Sequence, residues 1–216
     1  MLTTQIDTLL AEVLRDRRLL DHPFYRRWEA GTLGRDELAA YAAQYRHFER
    51  ALPGVLEHIA ERTEQPQARR LVEANLDDER TNPAPHVELF EAFAAAVGAP
   101  VDADASPATT ALLGVYASTS EDGDVVAALA ALAAYEVQAS EIAASKADGL
   151  RARYGVDADG TRFWDVHAGA EEAHGAWLVD AIAALGPDPA TVVDAATSAA
   201  TAWWSFLDER EACAPA

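Results

Sequence analysis

The 216-residue chain sets 17 Lys plus Arg against 36 Asp plus Glu, a formal net charge of −19. So acidic a surface repels phosphate backbones and anionic lipid, which argues against nucleic acid and membrane surfaces as partners. Half of the residues are hydrophobic, which excludes a disordered chain, and the lone cysteine, Cys213, excludes an internal disulfide framework, a cysteine-based zinc site and an iron–sulfur cluster.

The length predicts one domain, residues 1–216. Alanine, the best helix former and a poor strand former, fills nearly a quarter of the chain and predicts an all-α fold. The first helix is expected from Thr4 to Leu20; its mixed charges rule it out as a signal peptide. With no run of ~18 uninterrupted apolar residues, a cytoplasmic location is expected. His22-Pro23 breaks the pattern, and Phe24, Tyr25 and Trp28 form an aromatic turn. A long helix is predicted from Arg35 to Arg62, kinked at Pro53, then one from Gln67 to Glu79. Thr81-Asn82-Pro83-Ala84-Pro85 ends it, because proline lacks a donor and clashes with the preceding turn. Helices are expected over His86–Val97, Leu112–Ser118 (with Ser106-Pro107 as an N-cap signal), Gly123–Tyr154, Arg162–Leu185 and Thr191–Glu209.

Among six histidines, His167 and His174 stand out. With Glu171 they occupy i, i+4 and i+7, within roughly 60° of one helix face. Three such groups among Leu, Ala and Trp need a partner or a metal, and imidazole with carboxylate suits iron, manganese or zinc. The neighbouring Glu172 equally fits a solvated polar face. Glu79 ends one helix and His86 opens the next, so the two should lie near each other across the proline break; a surface cap and a solvent histidine are the other explanation. Glu136 sits in the apolar stretch 130–144, where a carboxylate is protonated, paired or metal-bound. The doubled Glu-x-x-His of ferritin-like bundles occurs once, at Glu171 to His174, which disfavours that fold.

The order Glu79-x6-His86, Glu136, His167-x3-Glu171-x2-His174 resembles the haem-oxygenase-like di-iron oxidases. The likeness extends to LLDHPFYRRWEAGTLGRDELAAYAAQY near the start and EANLDDERTNPAPHVELFEAF around the first ligands. It implies a seven-to-nine-helix haem-oxygenase-like bundle, of the thiaminase and pyrroloquinoline-quinone-synthase type. It also implies two iron ions, or iron with manganese, held by those six residues, with molecular oxygen and a reductant as co-substrates. Many members have Asp where this chain has Glu171. Thiaminase-like relatives need a core cysteine, and cofactor-free quinone-synthase relatives lack the full ligand set; both fit less well.

Within the family the chain is most similar to the p-aminobenzoate-forming group that includes the chlamydial protein associating with death domains. That similarity implies a self-sacrificing reaction in which Tyr25 supplies the ring and Lys146 the amine, with Tyr41 and Tyr135 beside them. Lys146 is informative without any family: it is the single lysine among 16 arginines. Arginine stays charged, whereas a desolvated lysine can become a free amine. A lysine surviving a coding bias, and tyrosines serving as ordinary core (Tyr41 and Tyr45 at i and i+4), are the plain alternatives. Oxidation of an external small amino-acid-like substrate and a metal-free binding protein remain the competing readings, and a homodimer is left open.

Overall fold

The computed structural model describes residues 2–212 and, within them, every side chain but those of Asp122, Ala170, Glu171 and Glu172. Nine α-helices and no strands occur among the described residues: α1 Leu2–Leu14, α2 Pro23–Ala30, α3 Arg35–Arg62, α4 Pro66–Thr81, α5 His86–Ala96, α6 Pro107–Ala117, α7 Val125–Gly149, α8 Ala158–Leu185 and α9 Pro189–Ala212.

The boundaries differ from the sequence expectation where one local interaction overrides periodicity. α1 stops at Leu14, and a 3₁₀ turn follows at Leu19–Asp21. Leu19 N–H donates to Gln138 Oε1 at 3.0 Å, which draws the chain off the helical path. α3 runs through Pro53 without ending. α6 begins at Pro107 rather than Leu112, because Ser106 caps it and proline occupies the first turn. α8 starts at Ala158, capped by Asp157, which accepts from Gly160 N–H. A π-turn at Leu150–Tyr154 extends α7.

α7 is the hub. Its residues 128–134 are all buried, as expected of a helix apolar on every face. In length and mean hydropathy residues 125–154 would suffice to cross a membrane even though Glu136 interrupts their apolar run; within the bundle 67% of the most apolar window is covered by protein. Its most extensive contacts are with α8 and α9. Gly175 permits the α7–α8 approach: a Cβ there would stand 3.2 Å from Glu136 O and from Val137 Cα. That crossing sets His174 of α8 beside the turn of α7 that carries Glu136.

Candidate metal centre and the tyrosine–lysine cage

Three helices, α4, α5 and α8, supply one cluster of chemistry-bearing side chains, and α7 carries a further buried carboxylate at its crossing with α8. Glu79 comes from the last turns of α4 and His86 from the first residue of α5. His167 and His174 lie on α8, and Glu136 on α7. All five are buried. One ligand atom each from Glu79, His86 and His167 lies within 4.8 Å of the others. His174 Nδ1 is 3.7 Å from Glu79 Oε1. The rings of His86 and His167 are 4.5 Å apart, and those of His86 and His174 6.3 Å. The proline break thus brings Glu79 and His86 together: His86 Nδ1 is 2.9 Å from Glu79 Oε2. The side chain of Glu171 lies outside the described residues.

Each histidine has one nitrogen engaged by an acceptor at the rim. His86 Nε2 pairs with Asn82 O at 2.9 Å, the carbonyl of the turn between α4 and α5. His167 Nδ1 pairs with Phe163 O at 2.7 Å, one helical turn back. His174 Nε2 pairs with Asp78 Oδ2 at 2.7 Å, and Asp78 is itself held by Asn82 Nδ2 at 2.6 Å. With those nitrogens carrying the protons, His86 Nδ1 and His174 Nδ1 are the lone-pair nitrogens on the Glu79 side. This is how metal-ligating histidines are oriented and fixed in one tautomer. The His86–Glu79 contact has a hydrogen bond's length but not its alignment, as expected of two groups facing a common third atom. The donor set fits a metal of the iron, manganese or zinc type.

The electrostatics agree. Burial works to raise the Glu79 pKa, but the contact with His86 and the field of the three imidazoles outweigh it and hold the carboxylate low. His86 moves up, its burial outweighed by Glu79, so a metal at its Nδ1 would displace a proton that Glu79 otherwise favours there. His167, pushed by burial, falls to about 3, so its imidazole is neutral and able to ligate.

Two residues escaped the sequence reading. Asp78 sits in the acidic run Asp77-Asp78-Glu79, where it reads as solvated surface; its signal is its place beside a ligand. Glu49 of α3 is buried, at 2% exposure. It lies at i+8 from Tyr41 and i+4 from Tyr45, and that shared face is the pattern that could have flagged it.

Next to this cluster stands a cage around Lys146, which is 1% exposed. Its Nζ donates to Tyr41 Oη at 2.6 Å, and Tyr41 Oη is 2.8 Å from Tyr25 Oη. The same nitrogen lies 3.9 Å from the Trp164 ring centroid, 4.7 Å from that of Tyr25 and 5.0 Å from that of Tyr45. Tyr135 joins the cage from α7, its hydroxyl 2.7 Å from that of Tyr45. Burial pushes the lysine pKa well down, with only a partial counter-pull from Glu49. It pushes the Tyr25, Tyr41 and Tyr45 hydroxyls up, so they remain protonated. A cleft of about 450 Å³, lined by Asp7, Glu136, Ser140, Glu141 and Gly175, reaches the Glu136 turn from solvent. A wider cavity of about 620 Å³ over the start of α3 borders none of these residues.

The chain is similar to several known proteins. A protein named 4-aminobenzoate synthase from Nitrosomonas europaea is 35% identical over 96% of this chain and 92% of its own length. One of the same name from Chlamydia pneumoniae is 28% identical over 92% of each chain. Among solved structures, a TenA homologue from Pseudomonas syringae superposes with a TM-score of 0.83 at 17% identity, over 97% of this chain and 92% of that one. A CADD-like protein of unknown function from Nostoc punctiforme superposes at 0.78 with 19% identity, over 99% of each chain. The sequence model of iron-containing redox enzymes matches residues 39–205, and with it the chain belongs to that family of haem-oxygenase-like fold.

Proposed function

We propose that this redox enzyme makes p-aminobenzoate from its own side chains, the ring from Tyr25 and the nitrogen from Lys146, at a two-metal centre of iron, or iron with manganese. The observation that carries the reading is the shared hydroxyl of Tyr41, with Lys146 Nζ 2.6 Å to one side and Tyr25 Oη 2.8 Å to the other. In p-aminobenzoate the nitrogen is para to the carboxyl carbon, as the phenol oxygen of tyrosine is para to Cβ. The amine therefore stands at the end of the ring where the new C–N bond would replace the phenol C–O bond; the Cε–Nζ bond of Lys146 and the Cα–Cβ bond of Tyr25 would break, with Cβ oxidised to the carboxyl at the expense of molecular oxygen. The names of the relatives point the same way.

The chain's own groups have separable tasks. Glu79, Glu136, His86, His167, Glu171 and His174 would hold the ions, with Asp78, Asn82 O and Phe163 O fixing the imidazoles. The bound metal supplies activation of molecular oxygen, with electrons from an external reductant. Burial shifts Lys146 toward the free amine, and Tyr41 holds it and the Tyr25 hydroxyl in register. Phe24, Trp28, Tyr45 and Trp164 exclude water around them.

The test is anaerobic Fe(II) loading of metal-free protein, exposure to oxygen with reductant, then small-molecule analysis and intact-protein mass spectrometry. The expected result is p-aminobenzoate, about one per chain, with mass loss confined to Tyr25 and Lys146. Tyr25→Phe and Lys146→Arg should each abolish product and leave metal uptake intact. Product from Lys146→Arg, or an unchanged mass at both residues, overturns the self-sacrificing reading in favour of an external amino-acid-like substrate. Failure to take up metal at all would favour a binding protein.

A further inference from the structure

We propose that Glu49 is a further metal-binding carboxylate of this centre, joining Glu79 and Glu136 from the α3 side. The inference rests on the metal-centre reading above and adds a residue that the six-residue pattern does not contain.

The placement comes from helix register. Tyr41, Tyr45 and Glu49 follow one another at i+4 along one face of α3. Tyr41 meets Lys146, and one turn on, Tyr45 meets Tyr135, the neighbour of Glu136 on α7. Glu49 is the next turn of the same face, and the charges of Glu79, Glu136 and Lys146 all act on it.

Its lack of partners distinguishes it from the other buried polar side chains of α3. Arg46 is paired with Glu91 and the Pro100 carbonyl. Glu49, equally buried, makes no hydrogen bond or ion pair among the described residues, and its Oε1 is closed off from solvent. A buried carboxylate is neutral, paired or metal-bound. Without a cation, burial and the repulsion of Glu79 and Glu136 push its pKa well up, a cost that a bound cation would remove.

The experiment titrates Mn(II) and Fe(II) into chelator-treated, full-length protein, following bound metal by elemental analysis and Mn(II) electron paramagnetic resonance, and the metal-induced rise in melting temperature. Wild type should bind two ions. Glu49→Gln, nearly isosteric, should weaken one of the two steps at least tenfold and shrink the metal-induced shift, while the metal-free protein melts no lower than wild type. Glu49→Asp, which keeps the charge on a shorter arm, should fall between them and serves as the readout if the Gln variant does not fold. Two ions bound with wild-type affinity by Glu49→Gln or Glu49→Asp would overturn the assignment and leave Glu49 a neutral core acid. Wild type that binds no metal would instead overturn the metal-centre reading itself.

Discussion

Lys146 Nζ donates to Tyr41 Oη across 2.6 Å, with both residues buried. The only side-chain amine in the protein is thus held by a phenol that also touches the Tyr25 hydroxyl. Removing that hydroxyl separates positioning from packing. Tyr41→Phe keeps the ring stacked on Phe24 but frees the amine from its bridge. Product yield should fall by about 10²-fold, the usual penalty for slight misplacement of reacting groups. Metal content, by elemental analysis, should be unchanged.

Burying Lys146 has a stability cost that depends on pH. Its pKa in the folded state is lowered by burial, so between that value and the ordinary ~10.4 of a free lysine the unfolded chain binds the extra proton. Stability therefore rises with pH through this window, by at most about 1.4 kcal/mol per pH unit. Lys146→Met removes the proton from both states. The variant should be more stable than wild type at pH 7, and the gain should shrink as pH approaches 10.5. Urea unfolding of metal-free protein at pH 7, 8.5 and 10 checks the trend; a pH-independent difference would contradict it.

Asp78 tests whether the imidazoles are oriented from outside the cluster. Asp78→Asn removes the carboxylate that pairs with His174 Nε2 at 2.7 Å and leaves Glu79, His86 and His167 in place. Metal affinity, by competition with a chelator, should drop about 10–100-fold, as for other partners of metal-ligating histidines, with little change in the metal-free melting temperature.

The α7–α8 crossing should tolerate no larger residue at 175. A Cβ at Gly175 would already stand 3.2 Å from Glu136 O, so Gly175→Val forces the helices apart. Overpacking of this kind costs about 1–3 kcal/mol, measurable by denaturant unfolding. The same displacement should weaken metal binding, since Glu136 and His174 sit on either side of that crossing.

Most of the helical pattern and the identity of the Glu79–His86 and His167–His174 pairs were legible in the sequence, because spacing and the proline break are local properties. Tyr25 and Tyr41 came from a resemblance and Lys146 also from its singularity among the arginines, and only the tertiary structure shows that one hydroxyl joins them. Asp78 and Glu49 were illegible for opposite reasons. Asp78 lies in an acidic run whose members look alike until the fold turns one toward His174. Glu49 sits among the charged and polar residues Arg46, His47 and Arg50, which mask the one hint it carries, its i+4 spacing from the buried Tyr45. The α1 boundary failed for a similar reason: the contact that ends it comes from Gln138, more than a hundred residues away.

The inward placement of Lys146 leaves the protein's exterior without a single lysine amine. Amine-reactive esters then meet no lysine on the surface of the folded chain, and a label on Lys146 records that the bundle has opened. The rate of that acylation is a clock for exposure of the core. The same residue that the proposed chemistry consumes thereby reports, in unreacted protein, how often the site lets water in.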